Sequence, residues 1–197
     1  MYDKEVALSY LEKHLEPKRV QHSIRVMNYA LELNEKLGLD LDPQKVEIAA
    51  LLHDCGKWAN KEEMLKKAES FGIIVEGDLA IDENLVHGVL GNFILQEEFG
   101  IYDRDVLDAV RYHITGRWAM TDLDMLVYLA DFAEPGRTFE DAKVVRSILE
   151  NDLKKAMLCC LNLNIKFLID KNVFIAPESM DARNYLIIQE KKNENRR

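Results

Sequence analysis

The sequence predicts an all-α protein, and three observations support this fold class. Apolar residues recur with the spacing of an α-helix through almost the whole chain of 197 residues. Capping residues, first-turn prolines and glycine stops interrupt this pattern at helix-sized intervals. The strand-like stretch at 172–177 is too short to form a sheet. We therefore expect a helical bundle.

The N-terminal half is predicted to contain five helices, each with a recognisable start or stop. An amphipathic segment covers 3–15, and Pro17 opens a longer one that stops at Gly38. Asp42 caps the third helix, which ends with His53-Asp54. Asn60 caps the fourth, which runs up to Gly72. Asp82 caps the fifth, at 83–98, which Gly100 closes.

The C-terminal half continues the helical pattern. A helix is predicted over about 103–114, and Thr121 caps the next one, at 122–133, which Pro135-Gly136 ends. One or two long helices occupy 141–171. A last helix from 178 to about 190 is expected to fray into the charged tail at 191–197. With no repeat or linker visible, residues 1–197 are interpreted as a single domain.

Composition narrows the class of protein. A hydrophobic content of 48% is enough for one buried core, and no run of about 18 apolar residues indicates a membrane span. The three cysteines lack zinc-ligand spacing and the N-terminus lacks the features of a signal peptide, so we expect a reduced, cytoplasmic protein. A net charge of -9 argues against nucleic-acid binding. A small anionic substrate would need local cations, such as bound metal ions.

Histidines and aspartates fall at helical positions that face the interior. His53 and Asp54 follow the apolar run 46–52, while His113 and Asp131 share or border the apolar stripe of their helices. Burying such groups is costly unless something binds them, and a dication binds imidazoles together with carboxylates. Each histidine alone could be an ordinary core residue. The set, which also includes His22 and His87, favours a metal site.

These residues carry a resemblance to a known family. The order His22, His53-Asp54, Asp131 resembles the HD-domain metal-dependent phosphohydrolases, which are all-helical. His87 and His113, which lie between them, match members with an enlarged or binuclear site. Segments 19–23, 53–57, 113–116 and 131–137 together resemble the YqeK-type branch, the bacterial symmetrical diadenosine tetraphosphate hydrolases. The likeness extends from about residue 15 to Asn184 and implies an HD-domain helical bundle.

The resemblance also implies metal ligands. His22, His53, Asp54 and Asp131 would form the main site, with Asp54 as a bridge between ions. His87 and His113 would complete a second site or contact phosphate directly, and His87 is the candidate for a general acid. One or two ions are expected. The resemblance favours iron, although this donor set also suits manganese, cobalt, nickel or zinc.

Other side chains are candidates for binding the substrate. Lys57 and Arg137 are predicted to clamp phosphates, the alternative for each being a salt bridge, for Arg137 with Glu134 or Asp141. Arg19 would orient His22 or touch phosphate. The hydroxyl of Thr115 and the amide of Gly116 could also bind phosphate, although a helix-end glycine explains Gly116 equally well. The apolar Ile175 and the aromatic Trp118 could border a nucleoside or simply pack against other side chains.

The predicted function is hydrolysis of a dinucleoside tetraphosphate at its central anhydride, which would give two nucleoside diphosphates. The expected partner is this small molecule or another nucleotide, with no nucleic acid or membrane, and a homodimer is left open. One alternative is an HD-domain phosphohydrolase that acts on nucleoside monophosphates or cyclic nucleotides. A second is a module that binds nucleotides without turnover; it ranks lower because every expected ligand position is filled.

Overall fold

The fold is built from helices. A computed structural model of the chain describes residues 2–73 and 85–195, and within these ranges it contains ten helices and no strand. None of these helices combines the length and apolar character needed to cross a membrane. The all-α prediction is confirmed. The helices are α1 (Lys4–His14), α2 (Pro17–Lys36), α3 (Pro43–Leu52), α4 (Lys61–Ser70), α5 (Val86–Phe99), α6 (Arg104–Tyr112), α7 (Asp122–Ala133), α8 (Glu140–Leu149), α9 (Leu153–Asp170) and α10 (Pro177–Glu194).

Most of the predicted helix boundaries are produced by local capping. The side chains of Asp42 and Asn60 accept hydrogen bonds from the first free amides of α3 and α4. Thr121 forms a reciprocal capping box with Asp124 at the start of α7. Gly100 takes a left-handed conformation, with φ of 62°, directly after α5. The predicted cap Asp82 lies outside the described residues.

Two boundaries differ from the prediction. α10 continues to Glu194, so the expected fraying from 191 is wrong, and Lys191 and Lys192 stabilise its last turn because they face the negative end of the helix dipole. For segment 141–171, where one or two helices are predicted, the structure has two, α8 and α9, which are separated at 150–152. α3 ends at Leu52, so the pair that follows begins a turn instead of closing the helix.

α3 and α7 form the centre of the molecule. α7 packs against α2, α3, α6, α8 and α9, while α3 packs against α2, α6 and α7. Both helices are apolar around most of their circumference, as expected for helices that contact neighbours on several sides. Polar residues at their C-terminal ends are therefore placed inside the protein. The single-domain interpretation stays a prediction.

Candidate metal centre

Six predicted ligand residues meet at this central point. His22 lies in the second turn of α2, His87 in the first turn of α5 and Asp131 in the last turn of α7. The other three are His53 and Asp54, directly after α3, and His113, directly after α6. The four histidines and Asp54 are buried, and Asp131 is partly exposed. The structure therefore brings together all six residues that the sequence pattern singled out.

His53 holds an unpaired nitrogen in the middle of the cluster. Its Nδ1 donates a hydrogen bond to the carbonyl oxygen of Ala50 at 2.8 Å, so the lone pair is on Nε2. Nε2 is fully buried and has no hydrogen-bond partner among the described residues. It lies 3.8 Å from Oδ2 of Asp54 and 3.7 Å from Oδ1 of Asp131. A cation between these three atoms would compensate the buried lone pair and both carboxylates.

His87 and His113 face the other oxygen of Asp54. The two Nε2 atoms lie 3.2 Å apart, and they are 3.2 Å and 3.6 Å from Oδ1 of Asp54. Nδ1 of His113 donates to the carbonyl oxygen of Val110 at 2.6 Å, which directs the ring's lone pair toward the cluster.

Asp54 is shared by two of the groups that could hold a metal ion. One group consists of His22, His53 and Asp54, and another of Asp54, His87 and His113; within each group the ligand atoms lie within 4.8 Å of one another. His53, His113 and Asp131 form a third overlapping group. Oδ2 and Oδ1 of Asp54 face different histidines. This is the position that a carboxylate bridging two ions would require.

The charge states of these groups suit cation binding. Burial lowers the pKa of both His53 and His87 to about 4, so both imidazoles are neutral at pH 7. Burial alone would raise the pKa of Asp54, but His53 and the close approach of His113 and His87 hold it well below its usual value. Burial alone would also raise the pKa of Asp131, but His22 and His53 outweigh this effect and keep the pKa low. Neutral imidazoles and ionised carboxylates are the forms that bind metals.

Glu134 is a site residue that the sequence reasoning considered only as a salt-bridge partner. It is 1% exposed, and its Oε1 accepts a hydrogen bond from Nδ1 of His22 at 3.1 Å. Arg25 and the amide of Gly136 donate to the same carboxylate. Glu134 therefore fixes the orientation of the His22 ring, whose Nε2 lies 2.7 Å from Oδ1 of Asp131. In the sequence, the available sign of this role was the position of Glu134, one residue after the end of α7 and three residues after Asp131.

Three cationic side chains surround the cluster. Arg19 donates from Nη1 to Oδ2 of Asp54 at 3.2 Å, and Nζ of Lys57 lies 3.8 Å from Oδ1 of the same residue. Arg137 donates from Nη2 to Oδ1 of Asp131 at 2.8 Å and from Nε to the Asp131 carbonyl at 3.1 Å. Neither predicted salt bridge of Arg137, with Glu134 or with Asp141, is present among these contacts. All three side chains are partly exposed, so they are accessible to an anion.

Some predicted substrate-binding residues are used elsewhere. The hydroxyl of Thr115 donates to the carbonyl of Gly116 at 2.8 Å, and the amide of Gly116 donates to the Tyr112 carbonyl at 2.8 Å. Gly116 has φ of 70°, so the helix-end role explains this glycine and its predicted phosphate contact is not supported. Ile175 is half-buried between α9 and α10, and Trp118 is largely exposed against the ring of Tyr185.

A cavity of about 200 Å³ opens beside the cluster. Ile114, Tyr128, Phe132 and Asn164 line it together with Lys57, His87, His113 and Asp131. A larger groove between α9 and α10, lined by residues such as Leu158 and Leu186, contains none of the clustered histidines. Sequence reasoning missed the first four lining residues. Tyr128 and Phe132 neighbour Asp131 on α7, whereas Asn164 comes from α9 and had no local signal.

Comparison with known proteins identifies the family of this chain. Residues 19–135 match the HD domain model, and the chain belongs to the HD domain family. Hydrolases of this family bind divalent metals, which the buried cluster could hold.

Full-length relatives narrow the class further. The chain is 37% identical over 190 residues to the symmetrical bis(5'-nucleosyl)-tetraphosphatase of Bacillus subtilis, covering 94% of this chain and 98% of that protein. It is 38% identical to the enzyme of the same name from Halalkalibacterium halodurans, covering 94% and 97%. A crystal structure of a predicted HD superfamily hydrolase involved in NAD metabolism, from Clostridium acetobutylicum, has a TM-score of 0.88 at 35% identity, covering 96% and 99%. The resemblance inferred from the motifs is confirmed.

Proposed function

We propose that this chain is a metal-dependent hydrolase that cleaves dinucleoside tetraphosphates symmetrically, converting diadenosine tetraphosphate into two molecules of ADP. The observation that carries the proposal is the position of Asp54, whose two oxygens face two separate groups of buried histidines. The names of the full-length relatives support the choice of substrate.

The ligand set would divide into two sites that share Asp54. His22, His53 and Asp131 would hold one ion with it, and His87 and His113 a second. Iron is the favoured metal by family resemblance, and manganese, cobalt, nickel or zinc would also suit these donors. Such ions, when bound, lower the pKa of water and compensate negative charge on phosphoryl oxygens.

The chain's own cations would bind the polyphosphate. Lys57 and Arg19 lie beside the carboxylate of Asp54 and Arg137 beside that of Asp131, and each of the three is partly exposed. Arginine matches two phosphate oxygens with its planar fork, and lysine contributes a mobile point charge. Because the protein carries a formal charge of -9, this local positive charge is needed to attract an anion.

His87 fits the role of ligand better than that of general acid. Burial lowers its pKa to about 4, so the imidazole carries no extra proton at pH 7. Its Nε2 lies 3.2 Å from both Oδ1 of Asp54 and Nε2 of His113, as expected of a ligand that shares an ion with them. A nucleoside diphosphate leaves as a stable anion, so the reaction does not require a strong acid.

Product analysis and metal content together test the proposed function. The full-length protein, purified without chelator, should convert diadenosine tetraphosphate into ADP alone. Equal amounts of ATP and AMP would contradict symmetrical cleavage. Faster turnover of nucleoside monophosphates or cyclic nucleotides would favour the alternative phosphohydrolase, and tight nucleotide binding without product would favour a binding module.

The Asp54→Asn variant links the activity to the metal centre. It preserves the shape of the side chain but removes the charge shared by both groups, so metal content and hydrolysis should fall together, the latter by at least about 100-fold. Asp170→Asn, at the exposed end of α9, is the matched control and should behave like the unmodified protein. Full activity in a metal-free Asp54→Asn protein would reject the proposal.

Location and assembly are separate parts of the proposal. Three free cysteines, with Cys55 and Cys160 buried, suit a reducing compartment, which supports the cytoplasm. A homodimer stays a prediction. Light scattering during size-exclusion chromatography would measure the mass directly.

A further inference from the structure

The cavity beside the metal cluster contains a polar pair that the proposed chemistry has not used. Tyr128, on α7, and Asn164, on α9, both line this cavity of about 200 Å³. Nδ2 of Asn164 donates a hydrogen bond to the hydroxyl oxygen of Tyr128 at 3.1 Å. Two helices that are distant in sequence therefore place a phenol and an amide next to Asp131, His87 and His113.

The pair has hydrogen-bond donors to spare. Because the Tyr128 oxygen accepts from Asn164, its own proton is free for another acceptor, and none is found among the described residues. The ring is 3% exposed, and burial raises the pKa of Tyr128 well above its usual value, so the hydroxyl keeps that proton. The Asn164 amide has a second N–H, which has no acceptor within the described part of the chain.

The surroundings indicate what would accept these protons. Lys57 and Asp131 line the same cavity with opposite charges, so metal ions held by the neighbouring ligand groups would make it favour an anion. Its volume is below the roughly 300–1,000 Å³ typical of pockets that enclose a drug-sized ligand. The cavity has room for inner phosphoryl groups, with the nucleosides extending outward through its opening.

We propose that the Tyr128 hydroxyl and the Asn164 amide form a donor pair that binds a non-bridging oxygen of the substrate's inner phosphates. This inference rests on the proposed function, because it assigns new contacts to the same polyphosphate. The donors are neutral, so they bind the phosphate without forming an ion pair with the neighbouring Asp131. A lysine in either position would compete with the metal for that carboxylate.

Isosteric substitution tests the pair on the metal-loaded, full-length protein. Tyr128→Phe removes only the hydroxyl, and kcat/KM for diadenosine tetraphosphate should fall about 10- to 100-fold, the range for hydrogen bonds to charged groups. Affinity for the product ADP, measured by calorimetry, should weaken as well. Metal content and Tm should stay close to those of the unmodified protein. The matched control is Tyr10→Phe, which removes a buried hydroxyl from α1 and should leave all of these quantities unchanged.

A second position keeps the proposal falsifiable if Tyr128→Phe folds poorly. Asn164 is only partly buried, so Asn164→Leu should be tolerated and should lower kcat/KM by a similar factor. Asn164→Asp should lower it further, because a carboxylate repels the phosphate. Combining Tyr128→Phe with Asn164→Leu should cost less than the sum of the two effects, since the residues act as one unit.

The outcomes separate this inference from the proposed function. If the unmodified protein does not hydrolyse diadenosine tetraphosphate, the proposed function fails. If it does, but the Tyr128 and Asn164 variants keep full kcat/KM and ADP affinity, only the donor pair is rejected. A fall in activity that is matched by lost metal or a lowered Tm in both Tyr128→Phe and Asn164→Leu would assign the pair to structure and also overturn the inference.

Discussion

At the scale of single residues, the hydrogen bond that Nδ1 of a histidine donates decides what its Nε2 can bind. His53 and His113 direct Nε2 into the cluster because their Nδ1 atoms donate to the carbonyls of Ala50 and Val110. His22, in the second turn of α2, instead uses the buried carboxylate of Glu134. A side-chain partner can be removed by mutation, whereas a backbone carbonyl cannot. Glu134 is therefore the place to test how much such orientation contributes.

Glu134→Gln should weaken metal binding without removing a ligand. The amide is isosteric, but it accepts less strongly from Nδ1 of His22 and loses its charge-assisted contacts with Arg25. We expect metal affinity to fall about 10- to 100-fold, the usual effect of losing such a partner. Titration with a metal and a competing chelator measures this directly. Glu140→Gln, an exposed control close by in the sequence, should not change the affinity; an unchanged affinity in Glu134→Gln would show that His22 is oriented by packing alone.

At the scale of helices, what could be predicted from sequence depended on how local the cause was. The starts of α3, α4 and α7 were predictable because each is capped by a residue next to it in the chain. The six clustered residues were predictable because short motifs carry them. Asn164 was not, since its position beside Asp131 results from the packing of α9 on α7 and leaves no trace in the residues around it.

The contact between α5 and the turn after α3 depends on a residue without a side chain. A Cβ at Gly56 would collide with the carbonyl oxygen of His87 and lie 2.9 Å from the amide nitrogen of Gly91. α5 therefore approaches Asp54 closely because Gly56 leaves room, and this approach brings Nε2 of His87 to 3.2 Å from the Asp54 carboxylate. The geometry of the second ligand group is thus set by backbone contact between two elements.

Gly56→Ala should damage this second group selectively. Moving α5 away would cost about 1–3 kcal/mol in unfolding free energy, typical of overpacking, and would separate His87 from Asp54. The number of ions bound per chain should drop while the group around His53 retains its own. Gly72→Ala is the control: it strains a residue with φ of 71° but meets no atom within 4 Å, so it should lower stability without changing stoichiometry. Unaltered stoichiometry in Gly56→Ala would mean that α5 adjusts without moving His87.

At the scale of the whole molecule, the centre is a buried cluster of ionisable groups in a mostly apolar core. Without metal, the imidazoles of His53 and His87 are neutral in the folded protein because burial penalises their charged forms. The carboxylates stay ionised in spite of burial because the histidines beside them favour the charged form. The folded state therefore resists protonation of several buried side chains, and unfolding exposes all of these side chains to water at once. This couples global stability to pH.

The metal-stripped protein should accordingly lose stability as the pH falls. His53 and His87 have a folded pKa of about 4 against an ordinary value of 6.5, so between these values the unfolded chain binds more protons and is favoured by each step downward in pH. Below about pH 4 the depressed pKa values of Asp54 and Asp131 act in the same direction, because the unfolded carboxylates protonate first. Asp124 acts against this loss of stability because burial raises its pKa, but it is one group against four.

Thermal unfolding between pH 7 and pH 4 measures the effect. Since one pKa unit corresponds to about 1.4 kcal/mol, the two histidines together should remove several kcal/mol of stability over this range. Replacing His87 by Gln should reduce the slope, because one depressed histidine is gone, whereas replacing the partly exposed His14, on α1, should change it much less. Loading the protein with metal at pH 7 should raise Tm, and this gain should shrink toward pH 4 as protons compete for the same nitrogens. A Tm for the stripped protein that is constant from pH 7 to pH 4 would show that the cluster opens to water before it titrates, so that the buried histidines do not limit stability.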